Sequence, residues 1–236
     1  MDTSIIRPTN GRPVAVAGVI FDCDGTLLDT MGLWYTMEEK LATSVGHVLT
    51  TREQDYLRAC TLEEAARFFY EGLGIGTGVA DVKRTIEAMA CDFYAREARP
   101  RPGALAFLAD LRAAGVRCAI ASSSPHSMLD PGAAGSGVGR YLDAIVSTDD
   151  VGVSKREPAA YDRARELLGT PLEATWVFED AAYAVRTARN GGYHVLATWD
   201  CDESGTFEEL QDLADHAVRS YAEIDVRRFL AGGYAR

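Results

Sequence analysis

The sequence predicts an α/β protein: a doubly wound parallel sheet with a second, smaller helical domain. Short apolar runs rich in β-branched residues alternate with helical stretches over most of the chain. No convincing strand occurs between about residues 29 and 98, where helical signals dominate. We therefore expect a core domain formed by residues 1–28 and 100–236, interrupted after its first strand by a helical domain formed by residues 29–99.

The predicted core strands are short enough to be buried strands of a parallel sheet. They are residues 14–21, 116–121, 175–178 and 193–197, with a weaker candidate at 144–147. Helical stretches lie at 104–114, 159–168 and 181–189, followed by Gly115, Gly169 and Gly191, which are typical of helix C termini. Residues 200–236 indicate a helix, a short strand and a final helix.

Within the insertion, residues 31–43 and 81–96 have helical patterns. Thr61 and Glu64 form the sequence of a capping box, which predicts another helix start. Residues 72–78 are predicted as a loop, and the Pro-rich segment 99–103 as a stiff connection back to the sheet.

Composition argues against several function classes. The formal net charge is −11, which disfavours nucleic acid and anionic membrane surfaces as partners. The five cysteines are widely spaced and contain no C-x-x-C pair, which favours reduced thiols in a cytoplasmic protein. Residues 1–13 lack the apolar segment of a secretory signal, and no apolar run approaches a membrane span. We expect a cytoplasmic monomer or weak homodimer.

Two carboxylates come directly after the first predicted strand. Asp22 and Asp24 stand one residue apart and precede Gly25. Ligands of open parallel sheets bind beyond the carboxyl ends of the strands, and unpaired carboxylates are costly in a core. An Asp-Gly dipeptide alone would indicate only a polar turn, so a functional role for these residues depends on motifs elsewhere in the chain.

Later motifs give the chain a specific resemblance. Their order is the Asp22 to Thr26 segment, Ser122 to Ser124 after a strand, Lys155 in a loop, and Glu179-Asp180 after another strand. This order resembles the haloacid dehalogenase (HAD)-like hydrolase superfamily over residues 14–28 and 100–200. The helical insertion resembles the helical cap of the subgroup that contains β-phosphoglucomutase and phosphoglycolate phosphatase.

The resemblance implies a role for each motif residue. Asp22 would be the nucleophile that forms an aspartyl-phosphate, and Asp24 the general acid and base. Mg²⁺ would be held by the carboxylates of Asp22 and Asp180 and by the backbone carbonyl of Asp24, with Glu179 binding directly or through water. Phosphate would be bound by the Ser122 hydroxyl, the Ser123 backbone N–H and the charge of Lys155.

The expected activity is Mg²⁺-dependent hydrolysis of a small phosphorylated metabolite. A dehalogenase is disfavoured because its leaving group needs no general acid, whereas Asp24 is present. A β-phosphoglucomutase-like reaction stays open, although Leu62 and Trp34 stand where those mutases carry Arg and His. A phosphometabolite-binding module without catalysis is the third alternative.

Substrate selection is expected from the helical insertion. The candidate residues are Thr30, Arg58, Cys60 and Thr61. Trp34 and Tyr35 lie on the first predicted helix of the insertion, where packing in the core is their expected role and a position at the site entrance is the alternative for one of them.

Overall fold

The computed structural model describes residues 14–201 and 204–236. Its strands are β1 (Gly18–Phe21), β2 (Arg117–Ser122), β3 (Ala144–Ser147), β4 (Thr175–Glu179), β5 (His194–Thr198) and β6 (His216–Val218). They form one parallel sheet in the order β3-β2-β1-β4-β5-β6. The chain runs from β1 outward to β3 and then returns to the other side of β1. The switch point of the sheet therefore lies between β1 and β4, where a ligand crevice is expected.

Ten α-helices surround or extend this sheet in the described part of the chain. They are α1 (Met31–Thr43), α2 (Thr51–Ala59), α3 (Leu62–Arg67), α4 (Val79–Arg96), α5 (Ala104–Ala113), α6 (His126–Ser136), α7 (Ala159–Leu168), α8 (Ala182–Asn190), α9 (Phe207–Leu213) and α10 (Val226–Leu230). A π-helical turn, Phe68–Gly72, continues α3.

Both faces of the sheet are buried, as a doubly wound fold requires. Alternate residues of a strand point to opposite faces. Phe21 and Phe178 belong to the cluster shared with α5 and α10, whereas Ile20 and Val177 belong to the cluster shared with α7 and α8. The predicted fold class is confirmed.

The described residues between β1 and α5 are helical and have a hydrophobic cluster of their own. It includes Met37, Leu57, Phe69 and Ile86, and it also contains Met128 of α6. Helices α4 and α6 approach closely because α6 contains glycines; a Cβ atom on Gly135 would lie 2.8 Å from the carbonyl oxygen of Ala95. The division into two domains at residues 29 and 99 stays a prediction.

Several boundaries differ from the sequence prediction. Strand β1 begins at Gly18, so the apolar residues from 14 to 17 precede it. Helix α2 was not predicted, although Thr50 and Glu53 form a capping box at its start. The first thirteen residues, which were predicted to belong to the core and to lack a secretory signal, lie outside the described residues. Among the described helices, none has the length and apolar character needed to cross a membrane.

Candidate active site

A cavity lies where the carboxyl ends of the central strands meet the helical insertion. All the predicted catalytic, phosphate-binding and metal-binding residues line it: Asp22, Asp24, Ser122, Ser123, Lys155, Glu179 and Asp180. Three predicted substrate-selecting residues of the insertion, Arg58, Cys60 and Thr61, line it as well. Thr30 does not line the cavity; it is buried beside Asp24.

Lys155 lies at the centre of a buried charge cluster. Its ammonium group contacts Asp22 Oδ1 and lies 2.6 Å from Glu179 Oε1. Burial alone would lower the pKa of Lys155, but the two carboxylates outweigh it and raise that pKa. The side chain therefore keeps its charge while only 2% exposed.

Tyr161 of α7 completes this cluster. Its hydroxyl donates to Glu179 Oε1 at 2.6 Å, and its ring lies 5.6 Å from the Lys155 ammonium. Tyr161 is fully buried. Sequence reasoning missed it because a tyrosine on the apolar face of a helix looks like an ordinary core residue.

Asp22, Glu179 and Asp180 form a buried acidic cluster whose carboxylate oxygens lie within 4.8 Å of one another. Burial raises the pKa of Asp180 to about 8, with a further contribution from Glu179. Burial also raises the pKa of Asp22, and Lys155 opposes this effect. One ammonium group does not balance three carboxylates. The cluster therefore fits a divalent cation, and its all-oxygen donor set suits Mg²⁺.

Gly25 makes room for this cluster. Its φ of 77° lies in the left-handed region, and a Cβ atom there would lie 2.5 Å from Asp180 Oδ2. A glycine is therefore required both by the backbone conformation of the turn and by the close approach of the carboxylate.

The Asp24 carboxylate is held by hydroxyl groups from two directions. Oδ1 accepts from Thr30 Oγ1 at 2.5 Å and from the Tyr94 hydroxyl, and Oδ2 accepts from Ser124 Oγ at 2.7 Å. Trp34 Nε1 in turn donates to the Tyr94 hydroxyl at 2.9 Å. Tyr94 lies on α4, 70 residues from Asp24 in the chain, so no local sequence signal could have linked them.

The loop after β2 offers polar groups to an anion. Ser122 Oγ accepts from the backbone N–H of Ser124 at 3.0 Å, which tightens the turn before α6. Within the described structure, Ser123 Oγ is buried without a hydrogen-bond partner. A buried hydroxyl in a cavity wall without a partner is suited to binding a ligand oxygen.

Helix α1 presents one face to the cavity. Met31, Trp34, Tyr35 and Glu38 line it at helical spacing. Trp34 also packs against the hydrophobic cluster of the insertion, in agreement with its expected packing role. The Tyr35 hydroxyl instead lies within hydrogen-bond distance of Ser204 Oγ, at 3.3 Å. Glu38 was not singled out from the sequence, because a glutamate on a predicted surface helix gives no distinguishing signal.

Comparison with known proteins identifies the family. Residues 16–192 match the model of the haloacid dehalogenase-like hydrolases. The chain belongs to this family. The core fold and the acidic cluster described above are consistent with that membership.

Individual relatives of this HAD-family hydrolase carry out different reactions. An (S)-2-haloacid dehalogenase of Pseudomonas fluorescens is 25% identical over 223 residues, covering 89% of this chain and 95% of that protein. A phosphorylated carbohydrates phosphatase of Thermotoga maritima is 25% identical over 174 residues, covering 74% and 81%. The solved structure of a β-phosphoglucomutase from Clostridium difficile superposes with a TM-score of 0.76 at 17% identity, covering 93% and 98%. The structural superposition shows the shared fold alone, and the two sequence relatives are named for different reactions.

Proposed function

We propose that this HAD-family hydrolase is a Mg²⁺-dependent phosphatase that hydrolyses a small phosphate monoester through an aspartyl-phosphate on Asp22. The observation that carries the proposal is the pair of carboxylates of Asp22 and Asp24 in one cavity with the buried acidic cluster. The cavity volume of about 120 Å³ is small, which favours a compact substrate.

Each side chain has a task in this reaction. Asp22 attacks phosphorus, and the leaving oxygen takes a proton from Asp24. Asp24 then removes a proton from the water that hydrolyses the acyl phosphate. Lys155, Ser122 and Ser123 stabilise the phosphoryl oxygens by charge and hydrogen bonding. Bound beside Asp22, Glu179 and Asp180, Mg²⁺ would neutralise negative charge on the phosphoryl group.

Asp24 favours phosphate ester hydrolysis over dehalogenation. A halide leaves as a stable anion without a proton, whereas an alkoxide leaving group requires a general acid. The hydrogen bonds from Thr30, Tyr94 and Ser124 hold the Asp24 carboxylate in the cavity beside Asp22, the place that a general acid for the leaving group must occupy. Sequence identity does not decide between the two reactions, because it is at the same level for the dehalogenase and for the phosphatase.

Hydrolysis is also favoured over a phosphomutase reaction. The mutase must retain a doubly phosphorylated sugar, and a basic residue in the insertion is the natural anchor for its second phosphate. Leu62 lies in the cavity wall with an apolar, buried side chain at the position where the resemblance places that residue. Trp34 likewise donates its only polar hydrogen to Tyr94.

Phosphate release from a panel of phosphorylated metabolites tests the proposal. Activity with Mg²⁺, its loss in EDTA and its absence in Asp22→Asn are the expected results. Interconversion of a sugar 1-phosphate and 6-phosphate would favour the mutase. Absence of Mg²⁺-dependent phosphate release across a broad panel, with phosphate esters still bound, would favour a binding module.

A further inference from the structure

The helical insertion forms part of the cavity wall, and this part carries two opposite charges. Glu38 lies on α1, one turn after Trp34 and Tyr35, and Arg58 lies near the end of α2. Both line the same cavity as Asp22. The phosphate chemistry described above uses neither of them, so they are available to bind the rest of a substrate.

Glu38 is a half-buried carboxylate with no hydrogen bond or ion pair to any residue that the structure describes. Burial raises its pKa to about 7, and the charge of Arg58 only partly opposes the shift. A carboxylate that loses part of its hydration without gaining a donor is destabilised. A cationic donor supplied by a ligand would remove that cost.

Arg58 has N–H groups that are not used in hydrogen bonds to described residues, although its side chain is only 12% exposed. Nη1 bonds to Asp55 at 3.1 Å, and Asp55 is itself 63% exposed, which makes this a weak surface pair. Within the described structure, Nε is buried without a partner. An arginine with free donors in a cavity wall is suited to a planar carboxylate.

Tyr35 fixes the place of the arginine. The guanidinium carbon lies 5.4 Å from the centre of the Tyr35 ring, a cation–π arrangement. The tyrosine hydroxyl lies 3.3 Å from Cys201 Sγ and 3.3 Å from Ser204 Oγ, so the hydroxyl end of the ring is held in place. The charge of Arg58 is therefore preorganised before a ligand binds.

We propose that Glu38 binds an ammonium group and Arg58 a carboxylate group of the substrate, so that the preferred substrate class is an O-phosphorylated α-amino acid. The inference rests on the proposed phosphatase function. A substrate whose group remote from the phosphate carries only negative charge would leave Glu38 without a donor. It would also place a second negative charge near Glu38. A neutral polyol would match neither charge.

Four phosphate monoesters separate the contributions of the two groups. Phosphoserine carries both the ammonium and the carboxylate, phosphoethanolamine only the ammonium, phosphoglycolate only the carboxylate, and glycerol phosphate neither. We expect kcat/KM to be highest for phosphoserine and lowest for glycerol phosphate, with about tenfold lost for each missing charged contact. p-Nitrophenyl phosphate serves as a generic substrate for the phosphatase reaction itself.

Two substitutions assign the contacts. Glu38→Gln should lower the kcat/KM ratio of phosphoserine to phosphoglycolate by about tenfold, because it weakens only the contact to the ammonium group. Arg58→Gln should lower the ratio of phosphoserine to phosphoethanolamine by a similar factor. The exposed neighbours provide matched controls, and Glu39→Gln and Arg52→Gln should leave both ratios unchanged.

A binding measurement keeps the inference independent of turnover. Calorimetry with Asp22→Asn should show phosphoserine binding at least about tenfold more tightly than glycerol phosphate, and Glu38→Gln in that background should reduce the difference. Equal kcat/KM and equal affinity for the two esters, with p-nitrophenyl phosphate hydrolysed, would overturn the substrate class and leave the phosphatase proposal intact. If p-nitrophenyl phosphate and all four esters are inert with Mg²⁺, the phosphatase proposal and this inference both fail.

Discussion

The ammonium nitrogen of Lys155 lies 2.6 Å from Oε1 of Glu179, and both side chains are almost completely buried. The same ammonium group contacts Asp22. This arrangement joins the loop after β3 to the ends of β1 and β4. The stability of the carboxyl end of the sheet is therefore linked to the charge balance of the candidate site.

Removal of the ammonium group should destabilise the protein. Lys155→Met leaves Asp22 and Glu179 buried without their cationic partner, and breaking a buried pair in this way costs about 3–5 kcal/mol. Chemical denaturation measures the free energy of unfolding. Lys40→Met on the exposed side of α1 is the control and should change it little. A loss below about 1 kcal/mol for Lys155→Met would show that the pair is not a stabilising element.

Tyr94→Phe tests how Asp24 is positioned. The substitution removes one hydroxyl donor from Oδ1 and the acceptor for the Trp34 indole. We expect kcat to fall by about tenfold or more with little change in KM, because proton transfer depends on the orientation of Asp24. Steady-state kinetics with Tyr56→Phe, an exposed tyrosine of α2, provide the comparison. An unchanged kcat would show that Tyr94 does not position Asp24 for proton transfer.

Gly25→Ala separates backbone strain from crowding of the acidic cluster. A Cβ atom at Gly25 meets Asp180 Oδ2, whereas one at Gly46 meets nothing within 4 Å, although both glycines have positive φ. Each substitution should cost about 1–2 kcal/mol of stability from the left-handed conformation alone. Gly25→Ala alone should also raise the Mg²⁺ concentration needed for half-maximal activity. If both variants need the same Mg²⁺ concentration for half-maximal activity, the added Cβ atom at residue 25 does not disturb Asp180.

Stability should depend on pH through Glu38. Its pKa of about 7 in the folded protein lies above the ordinary value of 4.5, so the unfolded chain loses this proton first as pH rises. The contribution of Glu38 to stability is therefore complete below about pH 4.5 and lost as pH rises through about 7. The free energy of unfolding of Glu38→Gln, relative to that of the wild type, should therefore increase as pH rises from about 4.5 to 7. Above about pH 7 this difference should stay constant.

Denaturant titrations at several pH values check this expectation. Glu39→Gln is the control, because its exposed carboxylate should give a difference from the wild type that does not track this window. A Glu38→Gln difference that is constant from about pH 4.5 to 7 would show that the side chain titrates like a solvated carboxylate.

The core of the fold was predictable because its strands and helices carry local signals. Helix α7 matches its predicted range, and the charged residues at the ends of β1 and β4 lie at the carboxyl ends of the strands, as predicted. Because parallel strands end at one edge, positions far apart in sequence could be placed together in advance.

The parts that were missed depend on contacts between distant segments. Tyr94 and Tyr161 reach Asp24 and Glu179 from helices whose apolar patterns indicate only packing. Glu38 differs from its exposed neighbour Glu39 only through the tertiary position of α1. Helix α2 could have been recognised from its capping residues, Thr50 and Glu53.

The central claim is that Asp22 accepts the phosphoryl group, and a covalent label tests it most directly. The protein is mixed with Mg²⁺ and a substrate that it turns over, quenched in acid within the first turnover, and digested for mass spectrometry. We predict a phosphorylated peptide with the modification on Asp22, absent from Asp22→Asn and from samples with EDTA. Phosphate release by Asp22→Asn at the wild-type rate, or a label on a different residue, would contradict the claim.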